Sequence, residues 1–162
     1  DIVTYGKVLG GGFPIGAVGA KSEIIKTKNV FYGGTFSANP LSMYAAKLIL
    51  ETIIDKKYIQ YDKLDNAGKT FRDGLNKFFI AEDKKMRVVG CGSINRIIFT
   101  DKFIRNRKER DFHEPRNAQT IFSEKLKRFG VFVNGNGLYH FSMAHTPEVV
   151  EELIALIKEG CS

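Results

Sequence analysis

The segment TYGKVLGGGFPIGAVGAK, residues 4–21, decides how the rest of this chain is interpreted. It places a single lysine, Lys7, between Gly6 and the three glycines at residues 10–12. Because glycine accepts backbone conformations that are closed to other residues, such a turn lets the backbone approach a ligand closely. This setting is typical of a Schiff-base lysine, whose free amine is favoured by partial burial beside apolar groups. The segment therefore predicts a nucleophilic role for Lys7, and the plainer alternative is a surface lysine at the end of a strand.

Two later stretches accompany this segment in one known family. Residues 7–21, read together with GGTFSANP at residues 33–40 and AHT at residues 144–146, resemble the class III pyridoxal-phosphate aminotransferases. Within that family the closest resemblance is to the branch that holds glutamate semialdehyde aminomutase. The resemblance covers essentially the whole chain, but only the C-terminal part of a full-length member.

The resemblance implies an α/β fold, namely the C-terminal part of a fold-type I pyridoxal-phosphate-dependent transferase. Residues 1–55 would be the remnant of the large cofactor-binding domain, and residues 56–162 a small α+β C-terminal domain with antiparallel strands. Runs of strands and segregated helices in the second part of the sequence are consistent with the α+β class.

The resemblance also implies a site and a reaction. Lys7 would hold pyridoxal 5'-phosphate as a Schiff base, and Gly34 and Thr35 would bind the phosphate of the cofactor across the interface of a homodimer. The reaction would be amino-group transfer between a small-molecule amino donor and a carbonyl acceptor, as in a class III aminotransferase or in glutamate-1-semialdehyde 2,1-aminomutase.

Two departures from the family leave alternatives open. The aminomutase branch usually carries a glutamate before the AHT motif, whereas this chain reads VNGNGLYHFS at residues 133–142, so an aminotransferase for another carbonyl substrate fits as well. In addition, the family's first phosphate loop and its pyridine-binding aspartate belong upstream of Asp1. A truncated, non-catalytic fragment is therefore an alternative, and we expect residues 1–55 of such a fragment to expose an apolar surface and to be loosely ordered.

The stretch at residues 33–40 also predicts an anion site from its residues alone. Thr35 and Ser37 supply hydroxyl groups, and Asn39 followed by Pro40 is a typical helix start. Amide groups at a helix start attract anions. The alternative is a capped turn with no ligand.

Composition bounds the remaining possibilities. Of the 162 residues, 43% are hydrophobic, which indicates a globular protein. There are only two cysteines, which indicates a reducing cytoplasm. No apolar run is long enough to span a membrane. The formal net charge is +7, with a basic cluster at residues 102–110. Acidic residues interrupt that cluster, so a solvated loop is favoured over nucleic-acid binding, and a basic binding module is a distant alternative.

Periodicity predicts the order of helices and strands. A strand is expected at residues 15–20, an apolar run at 30–32, a well-covered helix at 41–55, an amphipathic helix at 56–79, strands between 86 and 101, a polar loop at 102–114, a helix at 116–129, strands at 131–133 and 138–142, and a last helix from Pro147.

The three histidines are His113, His140 and His145. Their spacing fits no usual metal signature, so no metal is predicted. His145 precedes the last helix, where a capping or structural role is favoured over catalysis. Tyr139 and His140 could approach a substrate, but their orientation depends on the fold.

Overall fold

A computed structural model describes residues 1–26, 33–35, 37–55, 60–133 and 135–161 of the chain. The chain divides into two compact units, Asp1–Ile59 and Gln60–Ser162. The assignment of residues 1–55 and 56–162 to a large and a small domain of a longer fold stays a prediction.

Among its described residues, the first unit contains two strands, a short 3-10 turn and two α-helices. Strand β1 (Ile2–Tyr5) pairs antiparallel with β2 (Ala17–Ala20), and a 3-10 turn at Lys7–Gly10 lies between them in the sequence. Helices α1 (Ser22–Ile25) and α2 (Pro40–Asp55) follow. The strand predicted at residues 15–20 is therefore present in shorter form, and the apolar run predicted at 30–32 lies outside the described residues.

Helix α2 begins where the sequence predicts. Oδ1 of Asn39 accepts hydrogen bonds from the backbone amides of Leu41 and Ser42, at 3.1 and 3.2 Å. Pro40 is the first helical residue, where its missing amide hydrogen costs nothing. The predicted capped helix start is thus confirmed.

The first unit buries little apolar surface. Helix α2 buries only Ser42 and Ala46, while Leu41 and Leu48 are 60% and 46% exposed. The helix is therefore not covered within this unit, contrary to the prediction of a well-covered helix. Strands β1 and β2 add further exposed side chains, including Ile2 and Val18 at 58% and 59%. The apolar surface expected of residues 1–55 is present.

The second unit holds the main hydrophobic core. Its elements are α3 (Tyr61–Ala81), β3 (Arg87–Cys91), β4 (Ile94–Ile98), α4 (Arg107–His113), α5 (Ala118–Lys127), β5 (Leu138–His140) and α6 (Pro147–Cys161). The three strands form an antiparallel sheet in the order β3-β4-β5, and α3 packs against both this sheet and α6. Phe71, Leu75, Ile97, Leu126 and Ile157 are at most 1% exposed. Antiparallel strands packed on helices agree with the predicted α+β arrangement.

Two local predictions are wrong in this unit. The polar loop predicted at residues 102–114 contains helix α4, because the side chain of Asn106 accepts a hydrogen bond from the amide of Glu109 and Arg105 pairs with Glu109 at 2.9 Å. The strand predicted at 131–133 is absent, since the amide of Val131 donates to the carbonyl of Leu126 at the end of α5. In both places hydrogen bonds between residues close in the sequence decide the local structure.

Asn76 joins helix α3 to strand β3. Its Nδ2 donates to the carbonyl of Val88 at 3.0 Å, and its Oδ1 accepts from the amide of Val88 at 2.7 Å. Since Val88 is 4% exposed, removing the amide leaves buried backbone groups without partners. We expect Asn76→Ala to lower the free energy of unfolding by about 1–3 kcal/mol, measured by urea denaturation. Asn66→Ala, at an exposed position of the same helix, is the control, and equal stability of the two variants would contradict the prediction.

Candidate functional site

Lys7 lies in a strained backbone conformation. It opens the 3-10 turn Lys7–Gly10 with a φ angle of 54°, in the left-handed region. For a residue other than glycine this conformation costs on the order of 1–3 kcal/mol, and such residues cluster at functional sites. The amide of Leu9 donates to the carbonyl of Gly6 at 3.2 Å, and the amide of Gly11 donates to the carbonyl of Val8 at 3.0 Å. These hydrogen bonds help to hold Lys7 in the strained conformation.

The glycines that follow Lys7 are required by the path of the backbone. Gly11 and Gly12 have φ angles of 55° and 101°, which side-chain-bearing residues rarely adopt. A Cβ atom on Gly12 would meet no atom within 4 Å, so the backbone is open to a ligand at this point. The turn predicted from the triple glycine is therefore present and accessible.

Lys7 borders a shallow depression of about 570 Å³. The other lining residues are Val8, Gly11, Gly12, Phe13, Pro14 and Ile15. Lys7 itself is exposed, and so are Val3 and Tyr5 on the preceding strand, at 51% and 55%. The partial burial expected of Lys7 is thus not found, because its apolar neighbours in the sequence lie on the surface of this unit.

Gly34 and Thr35 border a larger groove of about 1040 Å³. The polar side of this groove contains Thr35, Ser37 and Asn39 at the start of α2, and the amide of Ser37 donates to the carbonyl of Gly34 at 2.9 Å. The apolar side consists of Ile2, Pro14, Ile15, Val18, Ile24 and Met43. Hydroxyl groups beside a helix N-terminus can bind an anionic group, and the apolar side can hold a flat organic group next to it.

The two sets of predicted cofactor-binding residues line different cavities. Lys7 borders the depression, whereas Gly34 and Thr35 border the groove. Pro14 and Ile15 line both and form the wall between them. This apolar wall was not recognised as part of the site from the sequence, although both residues directly follow the glycine turn.

His145 has a structural environment. The amide of Ser142 donates to Nδ1 of His145 at 3.0 Å, and the hydroxyl of Ser142 lies at the same distance. These contacts close the turn before α6 and agree with the structural role favoured by the sequence.

Tyr139 is 7% exposed and packs on the ring of Phe71 with a centroid separation of 5.0 Å, and burial raises the pKa of its hydroxyl.

A nearly buried ionic cluster surrounds Glu114. Its carboxylate accepts hydrogen bonds from the amide of Phe99 at 3.3 Å and from Nε2 of Gln119 at 2.6 Å, and it lies 3.6 Å from Nη2 of Arg96. Burial, followed by the nearby charge of Arg110, lowers the pKa of Arg96. The cluster ties α4 and α5 to strand β4, which is a structural function that the sequence pattern alone did not indicate.

The described residues contain no candidate membrane span and no candidate metal cluster. None of the helices among residues 1–26, 33–35, 37–55, 60–133 and 135–161 is long and apolar enough to cross a membrane. In the same part of the chain, no group of three histidine, cysteine, aspartate or glutamate side chains is placed to hold a metal ion.

Comparison with known proteins gives consistent matches. Residues 1–159 match the family model described as aminotransferase class-III. The chain is 31% identical to a glutamate-1-semialdehyde 2,1-aminomutase of Halorubrum lacusprofundi, with 99% of this chain and 42% of that protein covered. It is 32% identical to the enzyme of the same name from Methanothermobacter thermautotrophicus, with 100% and 39% covered.

Solved structures show the same partial overlap. An omega-transaminase from Sphaerobacter thermophilus matches with a TM-score of 0.77 and 25% identity, over 99% of this chain and 38% of that one. A glutamate-1-semialdehyde aminomutase from Pseudomonas aeruginosa matches with a TM-score of 0.84 and 16% identity, over 99% and 38%. The chain thus spans about two fifths of the length of these proteins and shares their fold over that part.

Proposed function

Because this chain belongs to the class III aminotransferase family, we propose that it supplies part of the active site of a pyridoxal-phosphate-dependent enzyme for amino-group transfer, with Lys7 as the Schiff-base lysine. The reaction is that of an aminotransferase or of a glutamate-1-semialdehyde 2,1-aminomutase, the name carried by the curated relatives. The observation that carries the proposal is the left-handed backbone of Lys7 beside an accessible glycine turn.

The residues present fit pyridoxal phosphate. Lys7 offers an exposed amine at the edge of a depression whose glycine backbone is open at Gly12. Thr35 and Ser37 offer hydroxyl groups beside the N-terminus of α2, which suits a phosphate. The two binding functions that the cofactor requires are therefore both represented in this chain.

The chemistry assigned to Lys7 follows from its amine. Pyridoxal phosphate, when bound, supplies the electron sink for amino-group transfer. Nζ of Lys7 would hold the cofactor covalently through its aldehyde group. Once a substrate amine had taken its place, the same Nζ would take and return the proton that amino-group transfer moves. Gly34 and Thr35 orient the phosphate and take no part in proton transfer.

The separation of the two cavities supports a homodimer. Lys7 and Thr35 line different cavities, with Pro14 and Ile15 between them. Because one copy does not place both sets of residues in a single cavity, a site assembled from two copies is consistent with this arrangement. We accordingly propose that each site combines Lys7 of one subunit with Gly34 and Thr35 of the other.

Thr35→Ala is expected to weaken the binding of pyridoxal phosphate by about 1–3 kcal/mol, because a hydrogen bond to a charged phosphate is lost. The dissociation constant can be measured by equilibrium dialysis. Thr52→Ala is the matched control, since the hydroxyl of Thr52 is already bonded to the carbonyl of Leu48 within α2 at 2.8 Å. A monomeric protein with unchanged affinity in Thr35→Ala would contradict both the phosphate role and the shared site.

A non-catalytic fragment is the second candidate. The exposed apolar surface of the first unit favours it. A basic binding module has less support, because Arg105 and Arg107 of the basic cluster are paired with Glu109 and Asp111 at 2.9 and 3.4 Å. An absorbance spectrum with added pyridoxal phosphate separates these candidates, since attachment to a lysine gives a visible band that neither a fragment without a site nor a binding module produces.

A further inference from the structure

Ile49 of helix α2 contacts the glycine turn that follows Lys7. A Cβ atom on Gly11 would lie only 3.2 Å from Cδ1 and 3.3 Å from Cγ1 of Ile49, so the Gly11 backbone rests directly on this side chain. On the other side, a Cβ atom on Gly10 would lie 2.8 Å from Cγ2 of Ile15. The turn therefore contacts two isoleucine side chains, and a Cβ atom on Gly10 or Gly11 would force one of them to shift.

The contact lies on the less exposed face of helix α2. Ile49 is half-buried, whereas its neighbours Leu48 and Leu50 are 46% and 45% exposed. Helix α2 packs against the Lys7–Gly10 turn. Because protein contacts are close-packed, shortening the Ile49 side chain removes the support of the turn on this side.

Lys7 needs such support. Its left-handed backbone persists only if the surrounding structure compensates for the strain. The first unit offers few other buried contacts near the turn, since Val3, Tyr5 and Val8 are all more than 50% exposed. The backbone conformation of Lys7, and with it the direction in which its side chain leaves the turn, thus depends on a small number of apolar contacts.

We propose that Ile49 is a positioning residue for Lys7, which supports the glycine turn from helix α2 and thereby orients Nζ for covalent attachment of pyridoxal phosphate. This inference rests on the proposed function of Lys7. It also gives α2 a second role, because this helix begins at Pro40, just after the segment that holds Thr35 and Ser37, and carries Ile49 about two and a half turns beyond its start.

The first test measures how readily the hydrogen bonds of the glycine turn open in the absence of cofactor. The amides of Leu9, Gly11 and Phe13 donate hydrogen bonds within the turn, and their hydrogen exchange reports its opening. Exchange in Ile49→Ala is expected to be about tenfold faster than in the unmodified chain, whereas Leu48→Ala leaves it unchanged and Ile49→Val restores most of the protection. Equal exchange in the unmodified chain and in Ile49→Ala would overturn the inference.

The second test measures how readily Nζ of Lys7 reacts with pyridoxal phosphate. The chain is mixed with pyridoxal phosphate, reduced with borohydride and mapped by mass spectrometry. Label at Lys7 is expected to fall about tenfold in Ile49→Ala, to recover in Ile49→Val and to be unaffected in Leu48→Ala. Absence of label at Lys7 in the unmodified chain would refute the proposed function, whereas equal label in the unmodified chain and in Ile49→Ala would refute only the role of Ile49.

Discussion

Lys7→Ala is expected to abolish the visible absorbance band that pyridoxal phosphate produces on this protein and to remove the borohydride-fixed label from the peptide around residue 7. The reason is chemical, because only a primary amine can be joined to the aldehyde of the cofactor with loss of water. Lys7→Arg should lose the band as well, since a guanidinium keeps the positive charge but remains protonated. This is the largest effect expected at the site, a complete loss instead of a reduced affinity.

The control for this experiment is Lys21→Ala. Lys21 is also an exposed lysine of the first unit, and its Nζ is paired with Asp1 at 2.7 Å. This variant should keep both the band and the label at Lys7. Label distributed evenly over several lysines, or a band that survives in Lys7→Ala, would contradict the assignment of Lys7.

Hydrogen exchange is expected to differ strongly between the two units of the isolated chain. The described amides of residues 4–54 should be protected on the order of 100-fold less than those of residues 118–157, which corresponds to a difference of about 3 kcal/mol in the free energy of opening. Among the described residues, the largest side chains that are less than 2% exposed all belong to the second unit: Phe71, Phe79, Leu75, Ile97, Ile98, Leu126, Ile157, Val150 and Asn95. Helix α2 has hydrogen bonds but little apolar burial to stabilise them.

Mass spectrometry of exchanged peptides gives the comparison directly. The second unit provides the internal control, because its helices α5 and α6 pack on a buried core. Equal protection across both units would show that the first unit is stable by itself and would remove the main support for the fragment alternative. Increased protection of residues 4–54 on addition of pyridoxal phosphate would favour a site that forms in this chain.

Several features could be predicted from the sequence because they depend on residues close together in the chain. Asn39 and Pro40 fix the start of α2 through hydrogen bonds to amides two and three residues away. Thr146 and Pro147 do the same for α6, where the hydroxyl of Thr146 accepts from the amide of Val149 at 3.5 Å. The glycines after Lys7 predicted a turn because φ angles such as the 101° of Gly12 exclude most other residues.

The apolar pattern was less informative about burial. The helix at residues 41–55 was predicted to be well covered, yet Leu41 and Leu48 lie on the surface of their unit. Residues 131–133 have the composition of a strand, but Val131 bonds to the end of α5 instead of to a strand. The apolar periodicity of the sequence indicates which side chains favour burial. Whether they are buried depends on whether another segment packs against them.

By itself the sequence determined the helix starts, the glycine turn, the family resemblance and the choice of Lys7, Gly34 and Thr35 as candidates. Only the tertiary structure decided that Lys7 is exposed, that Lys7 and Thr35 line separate cavities, and that Ile49 contacts the turn. The physical reason is the range of the interactions. Capping hydrogen bonds and φ angles act within a few residues, whereas exposure, cavities and the contact between Gly11 and Ile49 arise only when distant segments pack together.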